Sequence, residues 1–450
     1  MSTNAIATTQ TYHELMADLL VAYTAASRHK RSSKPRLEFE LRFEEELTDL
    51  ARSIMDGCYE IRPCTRFMVT SPVLREVIAA DFRDRIVHHY IHAYLNPTLE
   101  RLLIHDCYSC RTGKGTHFGV ERLKHHILSC SQQYTRPAYV LQLDIRGYFM
   151  HIDRNILYRK AMTLMDKIGS QRHPAGKLLR ELPKHRLVTE LLHKVIYHDP
   201  IRNCVYRGNP ALSKGLPPSK SLLYSPDMCG LPIGNLTSQL FSNLYLNDFD
   251  RWVKSDFHIR HYGRYVDDFY LIHTDAEYLK SLIAPMARRL SEVWGLELHP
   301  NKIKLQEVKK GVTFLGIHLK PYRRYLSHAT RKRICKRVAK LNEEVAAQPG
   351  EIRKQRKYRE YMLAHANSYL GILTGTASYG VRKRMFRDSA LFEIAYATPF
   401  LHKFVLHAHG ILPDKRETHA GGNTLRLSSG ETKVSPLLYD KEHQKKTSNR

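Results

Sequence analysis

Apolar positions recur at two spacings along the chain, and the switches between them mark where helices give way to strands. Over residues 37–57 (LEFELRFEEELTDLARSIMDG) they return at three- and four-residue steps, which predicts an amphipathic helix. Residues 79–95 (AADFRDRIVHHYIHAYL) read as a helix rich in Tyr, His and Arg, set among strand-like pieces between 60 and 135. The stretch 139–153 (YVLQLDIRGYFMHID) opens as a short apolar run with β-branched and aromatic content, the mark of a buried strand. A helical segment follows, then a loop over 207–235 punctuated by Pro, Gly and Ser. Residues 237–253 (TSQLFSNLYLNDFDRWV) predict a strong amphipathic helix with Thr237 or Ser238 as its N-cap. HYGRYVDDFYLIHTD (261–275) is two apolar, β-prone runs joined by Asp-Asp, which predicts a β-hairpin. Another helix leads to strands at KIKLQEV and GVTFLGIHL. Beyond 327 the pattern is helical and basic, and after about 410 it turns polar, which predicts a mobile tail.

Length and charge add a partner to this outline. At 450 residues, 42% of them hydrophobic, the chain is long enough for two or three packed units. Its 71 Lys and Arg against 44 Asp and Glu give a formal charge of +27, which favours a polyanionic partner. The eight cysteines (58, 64, 107, 110, 130, 204, 229 and 335) are too sparse for a disulfide scaffold. Cys107 and Cys110 have zinc-site spacing, but no second pair stands at finger-like distance, so the spacing reads as coincidence. No stretch has the roughly 18 apolar residues of a membrane span, and the N-terminus lacks the basic-then-apolar order of a secretory signal. A cytoplasmic protein that does not engage a membrane is expected.

The charges that are out of place carry the chemistry. Asp267 and Asp268 lie between apolar runs, and Asp144 ends another, ahead of Tyr148 and Phe149. Adjacent carboxylates in such a setting repel each other and lose solvation unless a cation is present. Three of them on neighbouring strands suit hard, oxygen-seeking ions such as Mg²⁺. Two such ions about 3.5–4 Å apart can activate a 3′-hydroxyl and stabilise a leaving pyrophosphate in one in-line displacement. One Asp-Asp pair alone is a weak signal, since a solvated turn would carry the same dipeptide. Further on, SHATRKRICKRVAKL (327–341) sets Arg331, Lys332, Arg333, Lys336, Arg337 and Lys340 on one helix. That stripe suits a template–primer backbone, with a solvated basic helix as the alternative.

Seven segments in one order then resemble the motifs of reverse transcriptases. LREVIAADFRDRIVHHYI (74–91) and HDCYSCRTGKGTHFGVERL (105–123) resemble the fingers motif and the segment after it. LDIRGYF (143–149), GLPIGNLTSQLFSNLYLNDFD (230–250), YVDDF (265–269), LHPNKIKLQ (298–306) and FLG (314–316) resemble the consecutive palm motifs. The likeness runs from about residue 40 to 385. It implies an α+β right-hand polymerase: an N-terminal extension (1–35), fingers and an antiparallel palm (36–326), a helical thumb (327–400) and a polar tail (401–450).

By position, the resemblance makes Asp144, Asp267 and Asp268 the ligands of two Mg²⁺ ions, with Mn²⁺ as a substitute and the Ile145 carbonyl assisting. Phe149 matches the steric gate that excludes a 2′-hydroxyl by clash. Arg75 matches the cation facing the incoming triphosphate. Arg83, Arg85 and Arg111 are weaker candidates for the triphosphate or the template backbone, with a solvated or salt-bridged arginine as the alternative. Lys302 matches a lysine that protonates the leaving pyrophosphate. Ile233, beside Gly234, departs from the glutamine of many reverse transcriptases, placing an apolar group against the nascent pair. That form is similar to the enzymes of diversity-generating retroelements and to phage-defence enzymes of bacteria, and implies reduced fidelity.

The expected partners are a structured non-coding template RNA, the RNA–DNA hybrid product and dNTPs; a protein partner or a second copy of the chain is left open. The polar stretch after the thumb shows no HNH-like Cys/His pattern and is too short for a ribonuclease H domain, so no endonuclease extension is expected. Between antiviral defence and diversity generation the reading leans to defence. A catalytically silent RNA-binding scaffold, or an RNA-templated RNA polymerase, are the alternatives of other classes.

Overall fold

Leu15, Leu19, Ala22 and Ala26 recur at helical spacing and are all buried, so the first helix, α1 (Thr3–Ser27), lays one face on the core. The structure, a computed structural model, describes residues 3–28, 33–70, 73–347, 355–373, 375–387, 395–398 and 403–406. They belong to two compact units, one of residues 1–334 with 375–378, the other of 335–374 with 379–450.

In the first unit, the helix expected over 37–57 is two helices, α2 (Lys34–Glu40) and α3 (Phe43–Met55). Arg42, at φ −129°, leaves the helical region between them, and its guanidinium reaches Glu46 at 2.9 Å. Arg62 reaches the same buried carboxylate at 2.8 Å, so two cations offset its loss of solvation. β1 (Cys64–Val69) and β2 (Arg75–Ala79) pair antiparallel. Asp81 caps α4 (Phe82–Leu102) by accepting from the Arg83 N–H at 3.0 Å. α1 packs against α4, so the segment expected as an extension belongs to the main hydrophobic cluster. α5 (Thr116–Cys130), β3 (Tyr139–Asp144), α6 (Tyr148–His151), α7 (Arg154–Gly169) and α8 (Pro183–Tyr197) follow. β4 (Cys204–Tyr206) adds in parallel to β1. The long loop to 235 is tied down by the buried Glu76 of β2, which accepts from Ser221 Oγ at 3.1 Å and from the Leu222 N–H at 2.7 Å.

α9 (Leu236–Asp256) is buried on nearly every side. Its N-cap is Asn235, neither Thr237 nor Ser238. Both of those are buried in the first turn, where the Thr237 hydroxyl meets His88 Nδ1 at 2.7 Å instead of a helix N–H. β5 (His261–Tyr265) and β6 (Asp268–His273) form the expected hairpin. α10 (Ala276–Ser281), α11 (Ile283–Trp294) and β7 (Lys304–Glu307) lead to an antiparallel sheet of β8 (Val312–Phe314), β9 (Ile317–Lys320) and β10 (Arg323–Leu326). GVTFLGIHL is therefore two strands, turned at Leu315-Gly316.

The four-stranded sheet is antiparallel, in the order β5-β6-β3-β7. Leu141 and Leu143 of β3 and Phe269 and Leu271 of β6 enter the main cluster. Their neighbours Val140, Tyr270 and Ile272 enter a second cluster with Leu123, Ile127 and Phe314. A sheet covered on both faces needs apolar side chains at every position, which is why these strands read as unbroken runs. Helices packed on antiparallel sheets make the class α+β, as expected.

α12 (His328–Ala346) begins in the first unit and continues into the second. The second unit also holds helices Arg356–Leu373 and Tyr379–Arg387. The former buries Met362, Ala366, Leu370 and Leu373 along one face. A strand pair, β11 (Ala395–Ala397) with β12 (Phe404–Leu406), extends order into the region expected as tail. The mobile tail expected after 410 lies outside the described residues. No described helix is long and apolar enough to cross a membrane.

Candidate active site

Antiparallel pairing decides which acids meet. β3 and β6 pair in a register that sets Asp144 opposite Asp268, at the end of the four-stranded sheet. The hairpin closes with Tyr265 opposite Asp268, leaving Val266 and Asp267 as a two-residue turn. Position 144 and the pair 267–268, more than a hundred residues apart in sequence, thus share one end of one sheet.

The turn is tight, and its first residue has φ +59°, a conformation that a β-branched side chain resists. Three bonds to its backbone hold it there. The Val266 N–H donates to Ser109 Oγ at 3.2 Å, Arg264 Nη1 donates to the Val266 carbonyl at 2.8 Å, and the Ile145 N–H donates to the Asp267 carbonyl at 3.2 Å. Arg264 is wholly buried, and its Nε and Nη2 form a two-pronged pair with Asp250 of α9 at 2.7 and 2.6 Å. Tyr262 adds its hydroxyl to Asp250 at 2.6 Å. Ser109 is fixed in turn by Asn243 of α9, through its hydroxyl at 3.1 Å and its carbonyl at 2.9 Å.

The sequence reading missed this bracing. An arginine inside the run HYGRYV was the available signal, because a buried guanidinium requires a carboxylate.

Burial first, then the nearby Asp144 charge, pushes the Asp267 carboxyl up to about 6, against the opposing charges of Lys302 and Arg75. Asp268 is held well above the usual carboxylate range by burial, by its hydrogen bond to Asp144 and by the Asp267 charge. Lys302 Nζ donates to Asp144 Oδ2 at 2.8 Å. Burial works against the Lys302 charge, but that hydrogen bond and the surrounding carboxylates outweigh it, so its pKa rises. The backbone places this lysine: His299 N–H donates to the Asp144 carbonyl and Arg146 N–H to the Glu297 carbonyl, both at 2.8 Å.

Among the described residues no three His, Cys, Asp or Glu side chains are closed round a common point. The donor set nonetheless fits hard divalent cations. It is all oxygen and largely buried, and two of its three acids hold their protons too strongly for lack of positive charge. Asp144, Asp267, Asp268 and the Ile145 backbone are the groups that could hold such ions.

The structure brings the candidate nucleotide contacts to the same end. Gly147, with φ +54°, turns the chain from β3 into α6, where a Cβ would meet the Ser219 carbonyl at 2.9 Å. Phe149 follows, and its carbonyl accepts from the Leu231 N–H at 2.8 Å. Phe149 and Ile233 pack on one small cluster with Ile78, Met150 and Leu222. Gly234, φ +127°, is pressed against Val77, where a Cβ would sit 2.9 Å from a methyl. Arg75 is exposed on β2, and its charge acts on both Tyr265 and Asp267.

Other candidates are placed elsewhere. Arg83 is buried over the Tyr59 ring and donates to the Glu60 carbonyl at 3.3 Å and to Ser53 Oγ at 3.1 Å. Arg111 is buried on Glu100 (2.7 Å) and the carbonyls of Ile104 and Cys107. Arg85 donates to the Ala80 carbonyl at 2.9 Å. All three guanidinium groups are engaged by neighbouring protein groups. Arg331, Lys332, Arg333 and Lys336 are exposed on α12, whereas Arg337 reaches Glu344 at 3.5 Å and Lys340 reaches it at 4.0 Å. Cys107 is buried, with its Sγ 3.4 Å from Asn243 Oδ1, and Cys110 is exposed.

The sheet end thus carries two carboxylates on paired strands and a third on the adjoining turn, next to an aromatic–apolar wall. Comparison with known proteins adds likenesses by sequence. Residues 183–319 match the family described as Reverse transcriptase (RNA-dependent DNA polymerase). Protein YkfC of Escherichia coli (strain K12) is 24% identical over 314 residues, covering 62% of this chain and 72% of that protein. Over the matched residues the chain is similar to reverse transcriptases, which that family's description makes RNA-dependent DNA polymerases.

Solved structures with a similar outline include an apo telomerase from Candida tropicalis truncated from its C-terminal domain (10% identity, 59% of this chain, TM-score 0.43). Another is a telomerase from Candida albicans in complex with a TWJ fragment of telomeric RNA (13% identity, 73% of this chain, TM-score 0.41). The chain spans 55% and 59% of those two telomerase chains.

Proposed function

We propose that the chain copies a structured non-coding RNA into DNA, using dNTPs and leaving an RNA–DNA hybrid. The observation that carries this reading is the register of β3 on β6, which sets Asp144 against Asp268 beside the turn bearing Asp267. Two Mg²⁺ ions, or Mn²⁺ in their place, held by these acids and the Ile145 carbonyl, would supply the charge that activates a 3′-hydroxyl and the charge that receives pyrophosphate. The residues do the rest. Arg264 and Ser109 hold the turn in place. Arg75 faces the triphosphate, and Phe149 and Ile233 wall the sugar and the nascent pair. Lys302, kept protonated beside Asp144, is the proton donor to the leaving pyrophosphate. Residues 36–326 serve as fingers and palm, and 327–400 as thumb, with Arg331, Arg333 and Lys336 on the nucleic-acid backbone.

Template-dependent incorporation of labelled dNTP by the purified chain, abolished by Asp267→Ala and Asp268→Ala, is the expected result. Incorporation that survives both substitutions overturns the assignment, and wild-type RNA binding without any incorporation would favour the silent scaffold. The biological setting that we favour is antiviral defence in the cytoplasm, with diversity generation as the alternative. A phage challenge of cells carrying wild type or the double variant separates them, since only a defence enzyme loses protection with its carboxylates.

A further inference from the structure

A cleft of about 580 Å³ opens between the end of α5 and the β9–β10 hairpin. One wall carries Lys124 and Tyr134, the other Lys320, Tyr322 and Arg323. Both walls are built on costly backbone. Gln132, Gln133 and Tyr134 have φ of 46, 56 and 68°, three left-handed residues in succession, and Tyr322 has φ 61° in the tight turn between β9 and β10. Glycine or asparagine would meet such turns at little cost, whereas a bulky L residue is strained there. Strain of this kind concentrates where a ligand is clamped.

Core packing does not account for Tyr322, which is 78% exposed. Its hydroxyl donates to the Gln133 carbonyl at 3.1 Å, and its ring meets the Tyr134 ring edge-on at 5.6 Å. Those contacts tie the two strained turns together and leave ring surface open to solvent. Arg324 is matched by Glu121, but no carboxylate pairs with Lys124, Lys320 or Arg323 among the described residues. The cleft is separate from the carboxylates: Tyr134 precedes the start of β3, and Asp144 lies at its other end, about 17 Å along the strand at 3.3 Å per residue.

We infer that this cleft binds single-stranded RNA, stacking bases on the exposed tyrosine and holding phosphates with Lys124, Lys320 and Arg323. Aromatic faces beside unpaired cations form a platform that accepts any base without reading its edge. The choice of RNA rests on the polymerase reading. A DNA product leaves the active site paired to its template, so the unpaired strand held at a distance from the carboxylates is template RNA.

The test compares the wild-type chain with Tyr322→Gly/Arg323→Ala and with Lys124→Ala/Arg323→Ala. Glycine suits φ 61°, so the first variant removes the ring while relaxing the turn; the second leaves both turns untouched. Anisotropy with a fluorescein-labelled single-stranded RNA should show the first variant binding about tenfold more weakly, the scale of one lost base stack. The second should lower the slope of log affinity against log salt by about 1.4, two phosphate contacts on a single strand. Extension of a pre-annealed primer on a template with a very short overhang should stay at the wild-type rate in both. Unchanged RNA affinity and salt slope in both variants overturn the proposal. A loss on single-stranded DNA as large as on RNA overturns the assignment to RNA. A wild-type chain that extends no primer refutes the polymerase reading by itself, while the binding comparison still decides the cleft.

Discussion

Asp250→Ala removes the counter-ion of a guanidinium that has no route to water, since both side chains of the Arg264–Asp250 pair are fully buried. Breaking such a pair from one side costs about 3–5 kcal/mol, because the remaining charge is stranded. For a unit of this size each kcal/mol lowers Tm by roughly 1.5–2 °C, so a drop of about 6 °C is expected by scanning calorimetry. The informative comparison is the triple variant Arg264→Met/Asp250→Leu/Tyr262→Phe. It removes both charges and the hydroxyl that would lose its acceptor, so stability should return to near wild type. The Val266 carbonyl still lacks its Arg264 donor. A hydrogen bond from a charged donor contributes about 1.5–3 kcal/mol, so a loosened turn should lower kcat/KM for dNTP incorporation about tenfold or more. Recovery of both Tm and incorporation in the triple variant would refute the claim that Arg264 positions the catalytic turn. An unchanged Tm in Asp250→Ala would refute the buried pair itself.

Three further outcomes follow from the same end of the sheet. Asp267 has its folded pKa raised to about 6, above the unfolded value near 4, so its contribution to stability is complete below about pH 4 and is lost as pH rises through 6, by about 3 kcal/mol in all. Millimolar Mg²⁺ should therefore raise Tm more near pH 8 than near pH 5, and an equal rise at both would contradict the electrostatic account. Phe149→Ala should increase rNTP incorporation relative to dNTP by about tenfold or more, as removing a clash does; an unchanged ratio in single-nucleotide extension removes Phe149 from the sugar wall. Ile233→Gln should lower misincorporation on a defined template, and product sequencing that finds no fall overturns the fidelity reading.

The acids were legible because their anomaly is local: charge stranded between apolar runs is visible without knowing the fold. The hairpin around Val266-Asp267 and the buried strand ending at Asp144 were legible for the same reason. What holds them was not, since Ser109, Asn243 and Asp250 look like ordinary polar residues until α9 and the loop before α5 are packed against β5. For Arg83 and Arg111, position in a motif-like segment suggested a ligand, and what the sequence did not show is that each is buried and bonded to its neighbours. The cap of α9 was misplaced by two or three residues because Thr237 has a buried histidine to bond with. The strained tyrosines carry no sequence signature, as φ is fixed only once both turns have formed.

The loop of residues 105–111 acts as an anvil for chemistry encoded some 160 positions downstream. Its main chain exchanges hydrogen bonds with Arg264, through Asp106 O and Tyr108 N, at 2.9 Å each, and its Ser109 hydroxyl reaches the turn itself. One residue added or removed there would slide that hydroxyl by a whole strand step, about 3.3 Å, off the amide it supports. The segment is therefore a poor place for a tag, a graft or a cut, even though it carries none of the reacting groups.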